Sequence, residues 1–168
     1  MSGPGGGAAG GPGPDGAAAR PPIRLDGTRT IRAPRERAWA VLTDPAAVAA
    51  CLPVPATAET VPPDRFLVVA SVTVIFPLRI VVDGRFVERL APERAILAGV
   101  ATVPGGGASV EARFELRTEP DGTSTLAWEL EAVPTGLAAA LAGQGVPPAV
   151  LDAVGRTLAC LIARIELP

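Results

Sequence analysis

The residues able to move protons, attack carbonyl groups or hold metals are few. Two cysteines, Cys51 and Cys160, stand beside scattered carboxylates, fifteen arginines and some hydroxyls, and the 168 residues contain no His, Tyr, Lys or Asn. Without His there is no Ser-His-Asp or Cys-His nucleophile, no imidazole base and no imidazole metal ligand. The cysteines lie far apart and outside any CxxC pair, so neither a zinc site nor a redox pair is expected. They are expected to pack as small buried apolar residues, and a disulfide between them is the sharper alternative. A net charge of −2 with no arginine run argues against nucleic acid, whose binding needs a concentrated basic patch. No catalytic residue and no metal site is assigned.

The elements that must carry any site follow from punctuation and periodicity. Residues 1–22 hold thirteen Gly or Pro and read as a disordered Gly/Pro/Ala-rich tail, leaving 23–168 as one folded domain. Ile23 to Ile31 alternates as a strand. Pro34 opens a helix over 35–43, and Asp44-Pro45 caps and starts a second, short one. Pro53-Val54-Pro55 ends it. Strand candidates follow at 56–61, 65–76, 78–90 and 95–103, then a hairpin at 110–131 turns on Pro120-Asp121-Gly122. Arg and Glu interleave on its polar parity, which predicts cross-strand ion pairs in solvent. Ala and Leu dominate 135–143. From Pro148 to Glu166, Val150, Leu151, Val154, Leu158, Leu161, Ile162 and Ile165 recur at helical spacing. Such an amphipathic helix needs an apolar floor, and a curved antiparallel sheet of six or seven strands is the surface available. The fold class is therefore α+β, in the order β-α-α-β6-α.

That order, with the long helix last, resembles the START-like (SRPBCC) helix-grip superfamily, in which a curved sheet wraps around the final helix. Within it the chain is similar to the carbon monoxide dehydrogenase G-subunit family. The resemblance is carried by Ile31-Arg32-Ala33-Pro34-Arg35-Glu36-Arg37-Ala38-Trp39, by Leu42-Thr43-Asp44-Pro45 running into Ala49-Ala50-Cys51-Leu52-Pro53, by Gly84-Arg85-Phe86-Val87 and by Glu119-Pro120-Asp121-Gly122-Thr123. Val54-Pro55 and Phe76-Pro77 depart from that family's usual Gly-Cys and Gly-Pro.

The resemblance implies a lipophilic cargo, a quinone or another lipid, carried as an accessory or membrane-recruitment protein of a molybdenum-containing dehydrogenase. No resident cofactor is implied. The cavity between sheet and final helix is expected to be lined by Val72, Val74, Ile80, Val82, Phe114, Leu116, Leu126, Trp128, Leu151, Val154 and Leu158. The alternative is that these side chains simply fill a core. The 65–82 hairpin is apolar on both parities, which points to a cover for its outer face, a homodimer partner first and otherwise a membrane or a large enzyme, with a purely internal explanation as the remaining alternative. Phe76, Pro77 and Leu78 at its tip are the expected contact. A polyketide cyclase-like enzyme is the rival reading, for which inward parity offers Glu88, Thr118 and Ser124, while Arg79 and Arg85 point outward. A dimeric interaction module without ligand is the third. With no leader pattern and no stretch approaching the ~18–20 apolar residues of a membrane span, the expected location is the cytoplasm, including the inner face of the membrane.

Overall fold

A computed structural model describes residues 21–73, 76–141 and 145–168. The expected 1–22 tail falls almost wholly outside these, as do Val74 and part of the Gly143–Pro148 interruption. The elements run β1 (Ile23–Ile31), α1 (Arg35–Leu42), α2 (Pro45–Ala50), β2 (Ala56–Val61), β3 (Arg65–Thr73), β4 (Pro77–Leu90), β5 (Arg94–Val103), β6 (Gly106–Thr118), β7 (Ser124–Thr135), α3 (Gly136–Leu141) and α4 (Pro148–Glu166). This is an α+β helix-grip arrangement.

All strand pairs are antiparallel, in the order β1-β7-β6-β5-β4-β3-β2. The first strand pairs with the last, so the long curved sheet keeps two edges, β1 and β2. The α1–α2 segment joins those edges, and α2 packs on β2 and β3. Pro34 precedes α1, and the Asp44 carboxylate accepts from the Ala46 N–H at 2.9 Å, capping α2 as the Asp-Pro pair predicts.

The concave face holds the core. Ile31, Ala38, Leu116, Leu126 and Ile165 are buried together, with Trp39, Phe114, Trp128, Leu158 and Ile162 packed around them. Trp39 and Phe114 meet at 5.7 Å between ring centroids. On β3 and β4, Phe66 occupies the place that a side chain at Gly84 would take and meets Phe86 edge-on, while the Arg89 guanidinium lies 4.5 Å over the Phe86 ring. The lower concave surface of these strands is thereby filled by side chains.

Within the 110–131 hairpin the Arg–Glu pairs on the convex face are not the cross-strand pairs that alternation predicts. Arg24 does bond Glu131 across β1 and β7 at 2.7 Å, but Arg113 bonds Glu111 and Arg117 bonds Glu115 along their own strand. Residues i and i+2 share a face, so an arginine reaches its own strand's glutamate without crossing.

Candidate functional site

Between α4 and the sheet lies a cavity of about 330 Å³. The strands contribute Leu97, Ala112, Phe114, Leu126, Trp128 and Leu130, the α1–α2 segment Leu42, Val48, Leu52 and Pro53, and α4 Ala153, Val154, Thr157, Leu158 and Leu161. Strand register explains the sheet's share. Phe114 stands opposite Ala95 and Trp128, and Ala112 opposite Leu97 and Leu130, so these side chains rise from one face. Ala112, with its short side chain, leaves space beneath the helix.

The polar content is low and, apart from the Trp128 indole N–H, already engaged. The Thr157 hydroxyl donates back to the Ala153 carbonyl at 2.8 Å. Arg113 and Glu129 border the cavity but belong by parity to the convex face, where Glu111 bonds the Arg113 guanidinium and raises its pKa. The Trp128 Nε1–H is buried without a partner, and the indole edge lies over Gly27 of β1, where a Cβ would meet it at 3.0 Å. Walls this poor in hydrogen-bonding groups favour an apolar occupant over water.

The expected lining divides. Phe114, Leu126, Trp128, Val154 and Leu158 border the cavity. Leu116 instead belongs to the solid core. Val72, Ile80 and Val82 sit half-buried on the concave face of β3 and β4, away from the cavity, because α2 and the Phe66–Phe86 pair occupy that side. Leu151 lies on the exposed flank of α4 at 50% exposure, and Val74 is outside the described residues. Sequence reasoning missed the α1–α2 contribution. The Ala-Val-Ala-Ala-Cys-Leu run shows that α2 has an inward face, but not which strands it leaves uncovered.

The polar candidates resolve into structural roles. Ser124 is fully buried and donates to the Ala33 carbonyl at 2.7 Å. Glu88 does not point inward: a bulge between Phe86 and Glu88 sets it opposite Ile96 on the convex face, bonded to Arg94 at 2.6 Å. Thr118 is exposed at a strand end, and Arg79 and Arg85 are exposed as expected. A groove of about 450 Å³ over the convex face is walled by charges such as the Glu88–Arg94 pair.

The cysteines overturn their expectation. Cys51, at the C-terminus of α2, and Cys160, in α4, form a disulfide with Cα atoms 5.4 Å apart. Sequence separation hid this, because only the packing of α4 on α2 brings the pair together. Phe76, at the β3–β4 tip, is 62% exposed, next to exposed Pro77 and half-buried Leu78. Among the described residues no helix is long and apolar enough to cross a membrane, and no cluster of His, Cys, Asp or Glu suits a metal ion.

The family model for the G-subunit of carbon monoxide dehydrogenase (CoxG) matches residues 27–166. No curated protein sequence matches significantly. Among solved structures, a conserved protein from Geobacillus kaustophilus superimposes with a TM-score of 0.71 at 15% identity, over 85% of this chain and 95% of its own. The Zhui aromatase/cyclase from Streptomyces sp. R1128 gives 0.58 at 19% identity, over 86% and 94%. A START superfamily protein from Mycobacterium smegmatis gives 0.56 at 14% identity, over 85% and 94%. At these identities the likeness is one of fold.

Proposed function

Because the chain belongs to the carbon monoxide dehydrogenase G-subunit (CoxG) family, we propose that it is a carrier of a lipophilic small molecule, a quinone or another lipid, held between the sheet and α4. The observation that supports this reading is the apolar cavity of about 330 Å³, within the size range of small-molecule sites. Its redox partner is a molybdenum-containing dehydrogenase, and loading occurs at a membrane surface through the exposed Phe76 tip. A homodimer covers the outer β3–β4 face around Val69, Val81 and the exposed Val100.

The cyclase reading is weaker, although the Streptomyces aromatase/cyclase has this fold. Acid–base chemistry needs titratable groups converging on a substrate. The hydroxyl in the cavity wall, on Thr157, is engaged with its own helix, and Glu88 lies on the other side of the sheet. Mass spectrometry of organic extracts of the purified protein tests the carrier. A stoichiometric lipophilic compound, or saturable uptake of the neutral fluorophore phenylnaphthylamine by the extracted protein, is expected. A protein that yields no compound and takes up no probe is not a carrier.

A further inference from the structure

The two halves of α4 are held differently. Its C-terminal half is fixed in the core: Leu161 and Ile165 are buried, and Glu166 accepts from the Arg32 N–H at 2.8 Å. Its N-terminal half spans the cavity with Val150 and Leu151 exposed. The main chain of α4 packs on α1, on α2 and on the end of β1, and its seam with α2 is short. That seam is one wall of the cavity. Val48 and Leu52 of the α2 segment line it, as do Leu158 and Leu161 of α4. Cys51 adjoins Leu52, and Cys160 adjoins Leu161 at the near end of the core-fixed half, so the disulfide clamps this wall where the cavity-spanning half begins.

We propose that the Cys51–Cys160 disulfide is a redox tether of the cavity. Oxidised, it holds α4 against α2 and retains the cargo. Reduced, it lets the cavity-spanning half of α4 part from α2 and exchange the cargo quickly. The inference rests on reading the cavity as a lipophilic-ligand site. In the cytoplasm, the location expected from the sequence, disulfides are usually transient and catalytic or redox-sensing, and redox sensing is the use proposed here.

The reductant is a dithiol, such as a CxxC thiol–disulfide reductase. One of its thiolates attacks the Cys160 sulfur, in the less buried of the two cysteines, forming a mixed disulfide and expelling the Cys51 thiolate, which takes up a proton. The second thiolate attacks the mixed disulfide, releases the Cys160 thiolate to be protonated, and leaves the reductant as a disulfide. Two electrons and two protons pass to the protein, one S–S bond breaks and another forms.

The test uses the full chain in three forms: oxidised, reduced with dithiothreitol, and the double variant C51A/C160A. Each is loaded with phenylnaphthylamine and mixed with excess phosphatidylcholine vesicles to follow release, and amide exchange is read on the same samples. Release is expected roughly tenfold or more faster in the reduced and variant forms, with exchange accelerated over residues 148–158 while β6 and β7 stay protected. Reoxidation of the wild-type chain restores slow release. Equal release rates with unchanged exchange overturn the tether and leave the carrier standing. If no form takes up the probe, the carrier reading fails, and exchange still decides whether the bond restrains α4. Loss of protection throughout the sheet in both reduced and variant forms also overturns the tether, because the bond then holds the whole fold.

Discussion

Ser124 occupies a position where strand parity offers a reactive hydroxyl to the cavity, yet its surroundings make it a brace. It is fully buried and satisfies the carbonyl of Ala33, the residue before the proline that opens α1. Removing the hydroxyl deprives a buried carbonyl of its donor, which costs about 1–3 kcal/mol. Ser124→Ala is therefore expected to lower the unfolding free energy by that amount in urea titrations, with no change in probe uptake. Asp121 is local in a different way. Its carboxylate accepts from the Thr123 hydroxyl at 2.6 Å and the Thr123 N–H at 3.0 Å, which holds its pKa below the ordinary aspartate value. A depressed folded pKa adds stability above the ordinary range and loses it as pH falls through the folded value. Asp121→Ala should accordingly be less stable than wild type at neutral pH, and the two should converge in acid. The effect is small at so exposed a turn, and an equal gap at both pH values would refute the assignment.

At the scale of elements, most strand and helix boundaries were legible because prolines and Asp-Pro or Asp-Gly pairs punctuate clean alternation, although β6 begins at Gly106 rather than at 110 and β7 runs on to Thr135 rather than to 131. What was illegible depended on how elements meet. The bulge after Phe86 leaves alternation intact on either side and only shifts its phase, which is why Glu88 faces the opposite way from its parity. The apolar stripe of α4 is continuous in sequence but not equally covered. Leu161 is 5% exposed and Leu151 is 50% exposed. Truncating a buried Leu costs about 2–5 kcal/mol, whereas surface changes usually stay within about 0.5 kcal/mol. Leu161→Ala should thus fall in the first class and Leu151→Ala in the second, as read from thermal or denaturant unfolding. Comparable losses would mean that the first turns of α4 are packed as tightly as the last.

For the whole molecule, the sheet has an anchored end and an open end. Ile165, Ile31, Leu116 and Ser124 gather where α4 finishes, and the 19 residues of α4 run back about 27 Å toward the other end. The β3–β4 tip, the β5–β6 turn and α3 lie at that other end, because Thr73 pairs with Pro77, Val81 with Thr102 and Gly106 with Gly136. Phe76, Leu137, Val150 and Leu151 are exposed there, while Val61, Leu90 and Leu167 are exposed at the anchored end. The sequence showed the apolar tip but not its company, since α3 comes to that end only through the antiparallel pairing of β4 through β7. An exposed apolar set at one end of the sheet suits contact with a lipid surface. The chain's net charge of −2 and lack of a basic cluster make the attraction hydrophobic rather than electrostatic. Co-sedimentation with neutral phosphatidylcholine vesicles should therefore occur, resist added salt and gain little from anionic lipid. Phe76→Asp, at an exposed position where the fold loses little, should sharply reduce the pelleted fraction while leaving the unfolding midpoint in place. Pelleting that is unchanged by Phe76→Asp removes the tip from the contact, and binding that rises with anionic lipid and falls with salt assigns it to charge instead.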